Sequence, residues 1–329
     1  MKKILVTGGA GYIGSHACTE LLNLNYDVII LDDFSNSYKN IILNIEIISK
    51  KKIKCYSCNI LDYKNLEKIF IENKIDAVMH FAALKSVSES TKNPLEYYKN
   101  NVQGTICLCE IMKKFNVKKM IFSSSATVYG DNKPPFKEYM ETKNVKNPYG
   151  KTKYFIEQIL RDIYISDKTW SIIILRYFNP IGAHKSGLIP EDPIGQPNNI
   201  MPIILRVASE KLRELVIFGN DHNTPDGTCI RDYIHILDLV SGHICALNEV
   251  LNKNIFKIFN LGTGIGTSVL ELVKTFQKVN NLKVNYVFGK KRTGDISICY
   301  AESNLAKKHL NWKPKYNLED MCKDAWNSV

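Results

Sequence analysis

The segment Lys3-Ile4-Leu5-Val6-Thr7 runs without a break into Gly8-Gly9-Ala10-Gly11-Tyr12-Ile13-Gly14, and a helical pattern follows. A short apolar run of this kind reads as a buried strand, and the glycines read as the tight turn joining it to a helix. Glycine lets backbone N–H groups approach a pyrophosphate at the helix N-terminus, where the peptide dipoles favour negative charge. Asp32 closes the next apolar run, 18 residues after Gly14. An acidic side chain at that point holds ribose hydroxyls, and no arginine flanks it to receive a 2′-phosphate. The expected cofactor is therefore NAD rather than NADP.

The rest of the first half repeats the theme. Near-continuous apolar runs at 27–31, 53–57, 76–81, 119–124 and 171–176 alternate with helical patterns, notably 94–115 and 149–165. Strands covered on both faces read this way, and strand–helix alternation implies parallel strands with right-handed crossovers. The expected class is α/β, a doubly wound parallel Rossmann sheet with a smaller interleaved C-terminal α/β substrate domain. After Asn179-Pro180 the texture changes, and Pro190-Glu191-Asp192-Pro193 marks a loop-rich connection. The sequence thus divides into a dinucleotide-binding domain over 1–180 and a substrate domain over 181–329, with a later strand near 258–262 expected to rejoin the first sheet.

The 329 residues, 45% hydrophobic and 23% charged, are ordinary for a globular chain of one large or two moderate domains. The net charge of +11 comes from short lysine clusters spread along the whole chain, without an aromatic–basic platform or recognition motif. Nucleic acid is not expected as a partner, whereas a positive field suits an anionic small molecule. No apolar run approaches the ~18 residues of a membrane span, and the N-terminus lacks a signal-peptide pattern. Nine scattered cysteines, an odd number in a long chain, suit reduced thiols in the cytoplasm. Cys55-Tyr-Ser-Cys58 has no second pair to complete a zinc site, so no metal is expected.

Tyr149 and Lys153 lie four residues apart at the start of a helical pattern, so they share one face. A free tyrosine titrates near 10 and is a poor base at neutral pH. Two nearby cations, Lys153 and a nicotinamide ring, are expected to supply the roughly 4 kcal/mol that favours the phenolate. Ser123-Ser124-Ser125-Ala126-Thr127 follows a buried strand, at the carboxyl edge of the sheet where the nicotinamide is expected. Any of the three serines can meet the tyrosine on this evidence.

With these residues assembled, the chain resembles the extended branch of the short-chain dehydrogenase/reductase family. Within that branch it is similar over nearly its whole length to the UDP-glucose 4-epimerases. Phe81-Ala82-Ala83-Leu84-Lys85, Asn147-Pro148-Tyr149-Gly150-Lys151, Arg176-Tyr177-Phe178-Asn179-Pro180, Arg231-Asp232-Tyr233 and Arg292-Thr293-Gly294-Asp295 carry the match beside the glycine and serine segments.

The resemblance implies that Tyr149 is the catalytic base, that Lys153 binds the nicotinamide ribose, and that Ser125, directly before Ala-Thr, bonds the sugar 4-hydroxyl. It assigns Gly8, Gly11, Tyr12, Ile13, Gly14, Asp32, Asn36, Asn59, Ile60, Phe81, Ala82, Lys85, Asn100, Tyr149, Lys153, Tyr177 and Phe178 to NAD. Asn59 stands where the family usually carries aspartate near the adenine. Lys85, Ser125, Thr127, Tyr149, Asn179, Asn199, Phe218, Arg231, Tyr233, Arg292, Asp295 and Cys299 are assigned to the UDP-sugar. Guanidinium forks match diphosphate oxygens, which agrees for the two arginines.

The implied reaction inverts C4 of a UDP-hexose through a transient 4-keto sugar. A dehydratase of the same branch generally places an acid directly after the catalytic serine or threonine; here Ala126 stands there. A non-catalytic NAD-binding regulator would have no need of Ser125, Tyr149 and Lys153 together. Apolar residues on more than one face of 94–115 and 149–165 predict a homodimer through these helices. At the position of Cys299 the family varies between tyrosine and small residues. The small residue implies room for a 2-acetamido group, hence turnover of UDP-GlcNAc/UDP-GalNAc beside UDP-glucose/UDP-galactose.

Overall fold

Alternate residues of the first strands point to opposite sides, and both sides are apolar. In β1 (Lys3–Thr7) Ile4 and Val6 enter one core while Leu5 enters another; in β2 (Asp27–Asp32) Val28 and Ile30 part from Ile29 and Leu31 in the same way. A strand buried on both faces requires helices on both sides. The computed structural model, which describes residues 1–142, 144–292 and 296–329, has that arrangement.

The further strands are β3 (Lys54–Ser57), β4 (Ala77–His80), β5 (Lys119–Ser125), β6 (Ser171–Tyr177), β7 (Asn179–Ile181), β8 (Leu215–Phe218), β9 (Ile230–Arg231), β10 (Tyr233–His235), β11 (Phe256–Leu261), β12 (Thr267–Ser268), β13 (Tyr286–Gly289) and β14 (Ile298–Cys299). Seven of them form a parallel sheet in the order β11-β6-β5-β4-β1-β2-β3. This is the doubly wound Rossmann-like sheet that the alternation predicts. The strand order reverses between β1 and β4, so a crevice opens beyond their carboxyl ends, where ligands of such sheets bind.

The helices, in chain order, are α1 (Tyr12–Asn23), α2 (Asn40–Ser49), α3 (Tyr63–Glu72), α4 (Val87–Lys92), α5 (Pro94–Tyr97), α6 (Gly104–Lys114), α7 (Pro148–Ser166), α8 (Ile200–Ala208), α9 (Ile236–Asn252), α10 (Val269–Asn280), α11 (Asn304–Leu310) and α12 (Leu318–Trp326). Residues of α1 and α9 share the core of Ile4 and Val6; residues of α3, α6 and α7 share the core of Leu5. Burying each of these large side chains contributes about 1.5–3 kcal/mol. A third core joins α8, α10 and α12 to β8, and smaller sheets (β12-β9-β14, β13-β8 and β10-β7) frame it.

The expected single helix over 94–115 differs in detail. Between α5 and α6 the chain makes a π turn, Tyr98–Gln103. There Asn101 is buried, its Oδ1 accepting from the Leu84 N–H at 2.8 Å and its Nδ2 donating to the Leu84 carbonyl at 3.0 Å and to Thr152 Oγ1 at 3.0 Å. Apolar periodicity does not separate a π turn from a plain α-helix, because both bury one stripe.

Candidate active site

Where β1 ends, space for side chains runs out. Gly8 adopts φ +70°, and a Cβ there would lie 2.7 Å from the Ala82 nitrogen after β4. A Cβ on Gly14 would lie 2.1 Å from the Gly8 carbonyl oxygen. The first turn of α1 is thereby pressed against the loop after β1. Gly11 caps this helix without a side-chain hydrogen bond, so the first N–H groups have no capping side chain. Asp32 stands beside them at the end of β2, accepting from the Ala10 N–H at 2.9 Å, the Phe34 N–H at 2.9 Å and Ser37 Oγ at 3.1 Å. Burial pushes its carboxyl above the usual range while these three bonds oppose the shift. A glycine cradle, open helix N–H groups and an adjacent acid fit a dinucleotide pyrophosphate and its adenosine ribose.

The chemistry-bearing side chains come from β5, α7 and β6. Asn147 caps α7 by accepting the Gly150 N–H at 2.8 Å, which fixes Tyr149 and Lys153 on the first two turns. Strand alternation sets Ser124 apart from the other two serines. Ser124 turns away and donates to Glu157 Oε1 at 2.6 Å. Ser123 and Ser125 face the cleft, but the Ser123 hydroxyl is hydrogen-bonded to the Tyr177 hydroxyl. Ser125 is the serine whose hydroxyl favours the Tyr149 phenolate; its oxygen accepts from Thr127 Oγ1 at 3.0 Å.

Lys153 Nζ donates to the Ser123 carbonyl at 2.7 Å and lies 4.9 Å from the centroid of the Phe122 ring. Burial lowers its ammonium to about 7, with Glu157 opposing. Burial pushes the Tyr149 phenol upward, against its bond to Ser125. The Lys153 ammonium is itself desolvated and held on a carbonyl, and burial dominates Tyr149 in this arrangement.

Across the crevice stand residues from the second half. Arg292 lays its guanidinium 3.8 Å from the centroid of the Phe218 ring. Arg231 projects from β9. Its neighbour Asp232 is buried and accepts from the Thr263 N–H (2.8 Å), Thr263 Oγ1 (2.6 Å), the Gly264 N–H (2.9 Å) and the Ala301 N–H (3.1 Å), which anchors the Arg231–Tyr233 segment. One cleft of about 1290 Å³ is lined by the glycine loop, Tyr12, Ile13, Asp32, Asn36 and Ile60, by Phe81, Ala82, Lys85 and Asn100, and by Ser125, Thr127, Tyr149, Lys153, Tyr177 and Phe178. Asn179, Asn199, Phe218, Arg231, Tyr233 and Arg292 line the same cleft.

Among the described residues two expected ones, Asn59 and Cys299, are not in that lining. Asn59 points its amide to Asp33 Oδ2 at 2.7 Å and accepts from the Leu61 N–H at 2.9 Å, so both ends are engaged beside the cleft. Cys299 pairs in register with Arg231 and packs on an apolar cluster containing Ala126 and Phe178, of which Phe178 lines the cleft. Asp295 lies outside the described residues.

Three residues escaped the sequence reading. Glu157 ties Ser124 to Arg176, accepting from Arg176 Nε at 2.9 Å and Nη2 at 2.5 Å. Asn101 clamps the backbone at Leu84, next to Lys85. Glu191 meets Lys85 and Asn199 inside the cleft. An acid within a helical apolar pattern was the available signal for Glu157; Glu191 sits in a loop with no periodicity to flag it. Among the described residues no group of three or more His, Cys, Asp or Glu is placed to hold a metal ion.

Residues 4–262 match the NAD dependent epimerase/dehydratase family. A UDP-glucose 4-epimerase of Bacillus subtilis (strain 168) is 51% identical over 325 residues, covering 98% of this chain and 95% of its own. The crystal structure of the UDP-glucose 4-epimerase from Bifidobacterium longum, in complex with NAD+ and UDP, has a TM-score of 0.97 at 46% identity, covering 99% of this chain and 98% of its own. The UDP-Glc/GlcNAc 4-epimerase from Campylobacter jejuni has a TM-score of 0.85 at 36% identity, over 99% and 98% of the two chains. With its glycine cradle, serine–tyrosine–lysine cluster and full-length likeness, the chain belongs to the NAD dependent epimerase/dehydratase family, among the UDP-glucose 4-epimerases.

Proposed function

We propose that Tyr149, Ser125 and Lys153 carry out the NAD-dependent C4 epimerisation of UDP-hexoses in this cleft. The observation that carries the assignment is the convergence of Ser125, Tyr149 and Lys153 in one cleft with the glycine cradle and the two arginines. When bound, NAD supplies the acceptor of the C4 hydride and returns it. Tyr149 takes the proton of the sugar 4-hydroxyl, directly or through Ser125, and gives it back. Lys153 holds the ribose beside it; with its ammonium near 7 it exchanges a proton close to neutral pH. Gly8, Gly11 and Gly14 keep the backbone close to the pyrophosphate, and Asp32 holds the adenosine ribose. Arg231 and Arg292 grip the diphosphate and Phe218 packs on the uracil. Binding energy placed on UDP leaves the hexose free to present either face to Tyr149.

Residues 1–180 serve the dinucleotide in this reading and 181–329 the UDP-sugar. Small Cys299, next to Ala126 and Phe178 behind the hexose end, leaves room for a 2-acetamido group. Likeness to the Campylobacter jejuni protein, a UDP-Glc/GlcNAc 4-epimerase, supports that breadth. A homodimer is supported by the shallow apolar groove of Leu95, Tyr98, Val102, Ile106 and Phe155, which continues from the π turn onto α7. Nine free thiols suit the cytoplasm.

Incubation of the protein with UDP-glucose, UDP-galactose and their N-acetylated counterparts, followed by separation of the C4 epimers, tests the reading. Tyr149→Phe is expected to lower the rate by about 10²–10⁴. Absence of UDP-galactose formation from UDP-glucose by NAD-loaded protein would refute it.

A further inference from the structure

Glu191 is an unusual resident of the cleft. It follows β7 in the connection to α8, its side chain is only 5% exposed, and it lines the space between the glycine loop and the second half. Its Oε1 takes two partners, Asn199 Nδ2 at 2.5 Å and Lys85 Nζ at 3.1 Å. Its Oε2 is buried with no hydrogen-bond partner among the described residues. Tyr12, whose hydroxyl donates to the Gly182 carbonyl at 2.6 Å, lines the same cleft and feels the Glu191 charge.

A buried carboxyl oxygen without a donor is costly, and native structures tolerate one mainly where a ligand completes it. Phosphate does not qualify, since its oxygens are anionic acceptors that Glu191 repels. A hydroxyl qualifies: it brings one donor of the right sign and size to a carboxylate that lines the cleft. We infer that Glu191 is a ligand-binding residue of this cleft, its Oε2 accepting a hydroxyl of the hexose of the UDP-sugar or of the dinucleotide ribose while its Oε1 holds Asn199 and Lys85 in place. The inference rests on the epimerase reading. It adds a second acidic contact to a cleft in which Asp32 already serves the adenosine ribose. It also explains why a carboxylate tolerates this depth: Lys85 balances its charge on one oxygen and leaves the other for the ligand.

The test uses NAD-loaded protein with Glu191→Gln and Glu191→Ala. The glutamine is isosteric and keeps an acceptor for Asn199, so it decides the matter even where alanine fails to fold. Three quantities are read: KM for UDP-glucose, Kd for UDP alone, and dinucleotide retained after gel filtration. A rise of about tenfold or more in KM with UDP binding unchanged, the loss expected of one charged hydrogen bond, identifies a hexose hydroxyl. A similar weakening of dinucleotide retention with KM unchanged identifies a ribose hydroxyl. Either result supports the inference. Variants that match the parent in all three quantities overturn it, as does a glutamine variant that weakens UDP and UDP-glucose equally or fails to fold, since Glu191 is then a clamp on Asn199 and Lys85. A parent that does not epimerise UDP-glucose refutes the epimerase reading instead.

Discussion

Replacement of Glu157 by glutamine tests how the catalytic strand, helix and neighbouring strand are locked together. Glu157 on α7 is almost fully buried and bonds Ser124 of β5 and Arg176 of β6 at 2.5–2.9 Å. The amide keeps the shape but removes the negative charge, leaving the Arg176 guanidinium uncompensated in the interior. Removing one partner of a buried ion pair costs about 3–5 kcal/mol. The lower end applies here, because Arg176 keeps its contact to the Glu138 carbonyl at 3.4 Å and its place 4.9 Å from the centroid of the Tyr129 ring. Urea denaturation followed by circular dichroism should show a loss of about 3 kcal/mol. A second effect separates electrostatics from packing. Glu157 is the group that holds the Lys153 ammonium up against burial; without it Lys153 loses its proton at lower pH. The limb of the kcat/KM profile that reports this proton should move toward acid. Stability within about 1 kcal/mol of the parent, together with an unmoved limb, would refute the reasoning.

Gly14→Ala puts a Cβ 2.1 Å from the Gly8 carbonyl oxygen, against backbone that has nowhere to go. It should cost about 1–3 kcal/mol or more and strip bound NAD, read by absorbance of acid-released dinucleotide. Burial depresses His16 and His80 to about 3 and His243 to about 4. Below 6.5 the unfolded chain gains protons the folded chain refuses, so stability falls from pH 6.5 downward, by about 1.4 kcal/mol per pH unit for each histidine. Urea midpoints at pH 7 and pH 5.5 that coincide would contradict this. Phe155→Glu, at a ring 43% exposed in the α7 groove, should convert a species of about twice 37.5 kDa to one of 37.5 kDa on sedimentation. Cys299→Tyr should abolish turnover of UDP-GlcNAc while largely sparing UDP-glucose; equal effects on both sugars would place the volume limit elsewhere.

What the chain alone makes legible is what local chemistry dictates. The passage from Lys3 through the glycines to Asp32 needs a strand, a turn, a helix and a second strand in sequence, and each carries its own signature. The Tyr149–Lys153 pair is likewise a matter of helical spacing. What resists reading depends on segments far apart. Lys85 meets Glu191 across 106 residues, and no pattern at either end announces the other. The place of Cys299 follows from the pairing of β14 with β9, two strands of two residues each, too short to be recognised from alternation. The position of Asn59 points to the adenine, but its amide is engaged by Asp33, a neighbour brought close by the pairing of β2 with β3. Lys153 shows the same limit in electrostatics: the cation is evident from the chain, its desolvation is not.

The π turn at Tyr98–Gln103 carries one residue more than a regular helix would need. Each residue advances an α-helix by about 100°, so a single deletion here would restore regular winding and swing everything on one side of the turn by that angle. Leu95 would leave the groove it shares with Phe155, or Asn101 would lose Leu84 and Thr152, because both sides cannot keep their partners. Side chains on this segment other than Asn100 and Asn101 are thus open to exchange in a way that its length is not. Insertions and deletions should be excluded from these six residues even where substitutions accumulate.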